Sequence, residues 1–473
     1  MASWVPGVAT CIAAAAMSDL NMGLLAPFFP ETCARRGVPH ALVGGMFSTL
    51  PIAAVVATPA APFFIRLFGC QRVILVTLVL QGLLSLAFAS LSFIPGRAAF
   101  IAVGMSLRAL QGLGGGIFET ALLSLLMRSV PEEMVGSVIG WSEAGRACGF
   151  LLGPVLGGAL FEVGGFALPF FVVGSALLTL PFALMLVMRR AGSASSELQS
   201  VQTEGAGAPG DTPPAVSTLA LLRIPAVSAG LLVQLAIFAA ISFFDPTLQP
   251  FLALPPLALS AGSVGLLLGL AVLFYILFSI VSGPLAGATG DVACLHAGLV
   301  VAAAAILLIG PSPLLRGMPT HSLPLLLGAM ASLGVGAGLT VAPVTNMMVR
   351  AASSGGLTMQ RASDQLAAVS TLSYACGAAV GPLAGGAAVQ LLGGPHDGFR
   401  RATTGLGLGL LGLLLVLEPV FCRERCRAPR AMDEDGTTTL PAVPQQTSVS
   451  DPLLYLPLHG CGCQGQPTTA KST

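Results

Sequence analysis

Twelve long apolar spans, separated by short polar punctuation, constrain this chain more than any other feature. They cover residues 5–28, 41–63, 73–93, 98–126, 137–160, 167–188, 225–250, 262–285, 293–310, 322–347, 365–389 and 402–421. About 20 apolar residues suffice for a helix to cross the hydrocarbon core of a bilayer, and each span is of that order. Only 9% of the 473 residues are charged, against about a quarter in soluble domains, so a soluble fold could not cover its own surface. Several spans contain Gly and Pro, which membrane helices accept because neighbouring helices re-satisfy the freed backbone groups. The fold class expected is all-α integral membrane, with 12 transmembrane helices.

Twelve crossings put both termini on one side, and the basic residues indicate which. With the N-terminus in the cytosol, 13 of the 21 Lys and Arg fall in inside segments and six in outside loops; Arg108 and Arg146 lie within spans. This places both termini in the cytosol. The first span has no basic residue before Arg35 and is broken by Asp19, so it reads as a retained helix rather than a signal peptide. Residues 191–222 form a polar linker, largely disordered, that divides an N-terminal bundle (1–190) from a C-terminal bundle (223–421). A disordered cytosolic tail follows (422–473). Neither polar segment could bury enough apolar surface to offset the entropy of ordering. The ten cysteines are scattered without disulfide or metal spacing; Cys461 and Cys463 are free thiols or palmitoylation sites. The net charge of +1 gives no reason to expect nucleic acid.

An internal repeat shows through. Gly149-Phe-Leu-Leu-Gly153-Pro154-Val-Leu-Gly157-Gly158 in span five matches Gly377-Ala-Ala-Val-Gly381-Pro382-Leu-Ala-Gly385-Gly386 in span eleven, with each matched residue offset by 228. Asp19 and Asp245 are offset by 226. Two pseudo-symmetric six-helix bundles, with a binding site between them, are the architecture expected of a major-facilitator transporter. A glycine stripe lets helix backbones approach closely, and simple close packing would explain it without transport.

Arg108-Ala-Leu-Gln111-Gly112-Leu-Gly114 resembles the fourth-helix motif of drug:proton antiporters of the major facilitator superfamily, and Gly149–Gly158 resembles their fifth-helix motif. Ala26-Pro27-Phe28-Phe29-Pro30, Phe243-Phe244-Asp245-Pro246-Thr247-Leu248, Ser142-Glu143 and Gly310-Pro311-Ser312-Pro313 look like the vesicular amine transporter family, most of all its vesicular polyamine transporter branch. The superfamily's Gly-x-x-x-Asp loop motif is kept in the second half as Gly287 to Asp291. In the first half Pro62, Arg66, Cys70 and Gln71 replace its Gly, Asp and basic residues, leaving only Gly69. That departure puts the usual charge lock of the first half in doubt.

Charges within spans cost about 2.5–3.5 kcal/mol at a helix centre, so they should face water or a partner. Those singled out are Asp19, Arg108, Glu119, Glu143, Arg146 and Asp245. Asp19, near Asn21, either binds a cation or proton or serves as a structural hydrogen-bonding group. The resemblance makes Arg108 a proton-coupling residue; the alternative is a salt bridge joining helices one and four. Glu143 and Arg146, three apart, can pair along one helix face, and Glu143 is also a proton-carrier candidate. Glu119 sits near the cytosolic end of helix four. Asp245, before Pro246, either binds a cation or caps backbone donors. Gln111, Tyr275, Tyr374 and Asn346 are further cavity candidates, the aromatic faces able to meet an amine by cation–π attraction. The resemblance implies acidic residues in helices ten and eleven for monoamine substrates; spans ten and eleven contain none, and Asp364 lies just before the latter.

Together these features predict proton-coupled antiport of an organic cation, a polyamine or related amine, into an acidic vesicle, driven by the proton gradient without a cofactor or metal. The partners expected are the small organic cation, protons and the lipid bilayer, and the chain is expected to act as a monomer. The alternatives are a drug or metabolite exporter or uniporter at the plasma membrane, or a non-transporting sensor with the same fold. No nucleophile–base set points to an enzyme. Tyr455-Leu-Pro-Leu458 fits a sorting signal read by adaptors, and Asp451-Pro-Leu453-Leu454 is a partial dileucine signal.

Overall fold

The computed structural model describes residues 5–204, 221–315, 322–353 and 359–427. Among them the regular structure is helical. Twelve long helices carry the fold: α1 (Val5–Gly23), α2 (His40–Phe68), α3 (Cys70–Phe93), α4 (Arg97–Arg128), α5 (Ser137–Gly164), α6 (Ala167–Leu186), α7 (Pro225–Leu252), α8 (Ala261–Thr289), α9 (Asp291–Ile309), α10 (Leu323–Ser353), α11 (Val369–Leu391) and α12 (Gly394–Arg425). Eleven of these, α2 to α12, are long and apolar enough to cross a membrane. The 19-residue α1 spans about 28 Å at 1.5 Å per residue, and Asp19 and Asn21 dilute its apolar character.

The side chains facing outward support a bilayer environment. Val56, Val76, Phe182, Ile280, Leu415 and Val416 are all exposed on helix surfaces, where a soluble bundle would carry polar groups. Helix reversals follow local chemistry. Gly69 (φ +80°) separates α2 from α3, and Gly290 (φ +92°) separates α8 from α9; only glycine takes such a conformation at no steric cost. Cys11, Cys33, Cys70, Cys148, Cys294 and Cys376 form no disulfide.

Two boundaries differ from the sequence reading. The first span does not continue to residue 28: α1 stops at Gly23, and a short helix, Phe29–Arg35, follows a turn. Pro27 and Pro30 explain the break, since proline clashes with a preceding helical turn. The expected linker does not begin at 191, because helical backbone continues from Ala167 to Glu204. No proline interrupts the sequence between Pro181 and Pro209. Residues 205–220 of the linker lie outside the described residues, as do Tyr455, the dileucine segment, Cys461 and Cys463.

The repeated glycine stripes do the same job in both halves. A Cβ at Gly149 would overlap the Ala16 carbonyl, one at Gly153 would stand 2.7 Å from the Leu20 carbonyl, and one at Gly157 would overlap that of Leu24. These three therefore let α5 touch the backbone of α1 and of the turn that follows it. In the second half Gly377, Gly381 and Gly385 bring α11 against Leu235, Ala239 and Phe243 of α7. The fourth glycine of each stripe turns to the opposite half: Gly158 meets Ala261 of α8, and Gly386 meets His40 of α2. The Pro154 carbonyl packs on Gly265, and the Pro382 carbonyl on Gly44.

Contacts between the two halves thus gather at one end, through α5 with α8 and α2 with α11. Beneath that end lie two aromatic clusters. Phe28 stacks on Phe161 at 4.9 Å between centroids, Phe88 meets Phe170 at 4.9 Å, and Phe251 stacks on Phe399 at 4.4 Å. At the other end, where α1 begins and α12 ends, α4 and α5 make no extensive contact with α10 and α11 among the described residues.

Candidate functional site

Arg146, ten residues into α5, meets three carboxylates with its three nitrogens. Nε donates to Asp19 Oδ2 of α1 at 3.0 Å, Nη2 to Glu119 Oε1 of α4 at 3.1 Å, and Nη1 to Glu143 Oε1 one turn earlier at 3.3 Å. A planar guanidinium offers five N–H donors and suits such a role better than an ammonium. The contact of α1 with α5 at the glycine stripe brings Asp19 within reach. The cluster opens toward the termini: side-chain exposure rises from 13% at Asp19 and 22% at Arg146 to 41% at Glu119 and 64% at Glu143. Three carboxylates against one guanidinium leave a negative excess in a place that water reaches.

The rest of the central face is aromatic and amide in character. Tyr374 of α11 packs edge-on against Phe238 of α7, at 4.5 Å between centroids. It lies within electrostatic reach of Asp19, Arg146, Glu119 and Tyr275. Tyr275 of α8 faces Glu143 and hydrogen-bonds Ser279. Tyr374 is the repeat mate of Arg146, offset by the same 228 residues, so the second half places a phenol where the first places a cation.

A second charged pair bridges the halves. Arg108 is buried, 2% exposed; its Nη1 reaches Gln111 Oε1 at 3.4 Å, and its Nε has no hydrogen-bond partner. It interacts electrostatically with half-buried Asp245 of α7, without contact within 4.0 Å. The expected alternative, a salt bridge from Arg108 joining helices one and four, is not formed. Arg146 takes the carboxylate of Asp19 instead, because the α5 stripe docks on α1.

Two candidates lie elsewhere. Asn21 is buried against α3, where its Oδ1 accepts from Ser85 Oγ at 3.0 Å; two residues beyond Asp19, it sits on another face of the helix. Asn346 stands beside Asp291 at the termini end, not in the cavity. Asp291, the loop-motif carboxylate, is 7% exposed and pairs with Arg350 Nη1 at 3.1 Å; Gly287 has open space around it. In the first half Cys70, following Gly69 as Asp291 follows Gly290, donates to Ser124 Oγ at 3.6 Å. Arg66 is exposed and makes no ion pair among the described residues. Among the described residues the lock exists in one half only. Asp364 lies on helical backbone ahead of the apolar part of α11.

The structure also adds residues that the sequence reading passed over. Glu418, within α12, pairs with His296 of α9 at 2.5 Å and accepts from Cys422 at 3.2 Å; the rule of charges inside spans would have found it. Glu31, Glu162, Gln249 and Gln390 join the halves at the closed end; the 228-residue repeat relates Glu162 to Gln390, while no sequence pattern marks Glu31 or Gln249.

Comparisons with known proteins agree with this arrangement. The family model described as Major Facilitator Superfamily matches residues 11–359. The chain is 26% identical over 447 residues to MFS-type transporter SLC18B1 of Mus musculus, covering 90% of this chain and 91% of that protein. Among solved structures, a bacterial homolog of the human lysosomal transporter Spinster, in an inward-facing and unoccupied conformation, superposes with a TM-score of 0.65 at 12% identity, covering 90% of this chain and 98% of that one. The nucleoside transporter NupG gives a TM-score of 0.64 at 12% identity, covering 89% and 99%.

Proposed function

The chain belongs to the major facilitator superfamily of membrane transporters, and on that premise we propose that it exchanges protons for an organic cation, a polyamine or related amine, across a vesicle membrane by alternating access. One observation carries this reading: the water-accessible group of Asp19, Glu119 and Glu143 around Arg146, with the phenols of Tyr275 and Tyr374 opposite. Carboxylates in a low-dielectric cavity attract a cation and take up protons in its place, and the phenol rings add cation–π attraction. With both termini in the cytosol, the open end admits the amine from the cytosol. Closure of that end and opening of the other expose the same carboxylates to an acidic lumen, where protons displace the amine. Asp245 and Arg108 then form a second, inter-half step in the proton path. The absence of Asp and Glu from α10 after Leu323, and from the apolar part of α11, favours polyamines over monoamines. No cofactor is required, since the proton gradient supplies the energy.

Uptake of radiolabelled amines by proteoliposomes, with and without an imposed pH gradient, tests the proposal. Gradient-dependent uptake of polyamines is the expected result. Uptake indifferent to the gradient would make the protein a uniporter, efflux of unrelated drugs would make it an exporter, and no flux of any kind would leave a sensor.

A further inference from the structure

The closed end is held by two polar links that obey the internal repeat. Glu162, in the last turn of α5, accepts from the Gly262 backbone N–H at the start of α8, Oε1 to N 2.8 Å, and also meets the Ser260 hydroxyl. Gln390, in the last turn of α11, accepts from the Ala41 backbone N–H at the start of α2, Oε1 to N 3.0 Å. Glu162 and Gln390 are offset by 228 residues, the offset of the glycine stripes, and Gly262 and Ala41 are each the second residue of their helix. Each half therefore caps a helix N-terminus of the other. A third link, Gln249 Nε2 to Glu31 Oε2 at 3.1 Å, ties α7 to the short helix Phe29–Arg35. Deeper along the same seam Ser48 Oγ of α2 donates to the Ala379 carbonyl of α11 at 2.5 Å, a bond between groups that do not titrate, and the glycine contacts add packing without a directional bond.

We propose that Glu162 makes the closed end acid-labile: its carboxylate latches α8 when ionised and releases it when protonated from that side. A carboxylate at a helix N-terminus makes charge-assisted hydrogen bonds and complements the helix dipole; a neutral carboxyl loses both advantages. The cap exists only while the end is closed. Because the closed arrangement alone rewards the ionised form, lowering the pH shifts the equilibrium toward opening. Gln390 cannot titrate, so its latch is indifferent to pH, and Glu31 is already paired with Arg35 at 2.5 Å.

The surroundings of Glu162 leave it free to respond. α8 presents only Ser260, Ser263 and backbone amides, and α6 begins with the apolar Ala167 and Leu168. From the short helix side, Arg35 and Arg36 line a cavity of about 270 Å³ with Phe161 and Gly165. Arg35 is bound to Glu31. Arg36 donates to the Ile94 and Ser92 carbonyls and lies 4.4 Å over the Phe100 ring. On its own helix the nearest ionisable groups are Cys148 and Arg146, more than three turns away. Around Gln390 the titratable neighbour is His40, which precedes Ala41.

Hydrogen–deuterium exchange on the full chain in nanodiscs tests the latch without any substrate, so its outcome is separate from that of the transport proposal. Exchange is measured at neutral pH and at about 3.5, roughly a unit below the ordinary pKa of a solvated Glu, and corrected for intrinsic rates. In the wild type, amides at the starts of α8 and α2 should lose protection together on acidification, by about threefold or more for loss of one cap. Glu162→Gln should abolish most of that response, and Gln390→Glu should steepen it. A wild-type response retained in Glu162→Gln would overturn the proposal. So would a Gln390→Glu protein no more acid-sensitive than wild type, and this second variant decides the matter if the first does not fold.

Discussion

At the scale of single residues, the account turns on Arg146. Among the described residues it is the one side chain that touches three carboxylates from three helices, and its removal would leave Asp19 partly buried without a counter-charge. Arg146→Ala should destabilise the protein by about 1–3 kcal/mol, as when a buried partner is removed, visible as a lowered melting temperature in detergent. Arg146→Lys should recover only part of this, because an ammonium cannot reach three acceptors in one plane. A melting temperature unchanged in the alanine variant would show that the carboxylates do not depend on it. Most intramembrane charges were legible because their cost forces a role on each; Glu418, inside the last span, was passed over. Which cation pairs with which anion was not legible, because that depends on which helix the α5 glycines dock against. The sequence offered Arg108 for a salt bridge joining helices one and four and Arg146 only for Glu143; the stripe places α5, not α4, on α1, and so gives Asp19 to Arg146. Asn21 shows the same limit: two residues along a helix is enough to move an amide from the cavity to the α3 interface.

At the scale of elements, the stripes should tolerate no added methyl. Gly149→Ala and Gly381→Ala would each drive Cβ into a carbonyl, of Ala16 and Ala239 respectively, and overpacking of this kind costs about 1–3 kcal/mol. Gly140→Ala, on the helix that becomes α5 but with open space around Cβ, should be neutral or stabilising, by up to about 1 kcal/mol from helix propensity. Thermal unfolding of the three variants separates packing from propensity; equal shifts would contradict the packing assignment. The single charge lock makes a comparable distinction. Asp291→Asn should cost about 1 kcal/mol through loss of the Arg350 pair, whereas Arg66→Ala should cost nothing measurable. The repeat was legible in the sequence because backbone-to-backbone contact admits only glycine. The linker boundary was not, since the stretch after 190 is polar yet free of proline, and helical backbone continues through it to Glu204.

At the scale of the whole molecule, a symmetric scaffold carries an asymmetric chemistry. The stripes, the helix reversals at Gly69 and Gly290 and the trans caps all repeat, but the ionisable cluster does not: Tyr374 stands where symmetry would put a second Arg146, and Cys70 where it would put a second Asp291. The proposed alternating access requires the capped end to open while the end where α1 begins and α12 ends closes. A reducible cross-link between cysteines placed at Ala41 and Gln390 should hold the capped end shut and stop transport, with recovery on reduction; transport undiminished by the cross-link would contradict the gate. Twelve crossings and two bundles could be read from hydropathy and one repeated motif. The conformation could not, because the same sequence must encode both open states and favours one by a handful of polar links. The central claim is that Asp19 exchanges protons for an organic cation. Its most direct test is radiolabelled spermidine uptake into acid-loaded proteoliposomes by wild type and by Asp19→Asn, each shown to be folded by its melting curve. The account predicts gradient-driven uptake in the wild type and its loss in the variant; uptake of equal rate in both would contradict it.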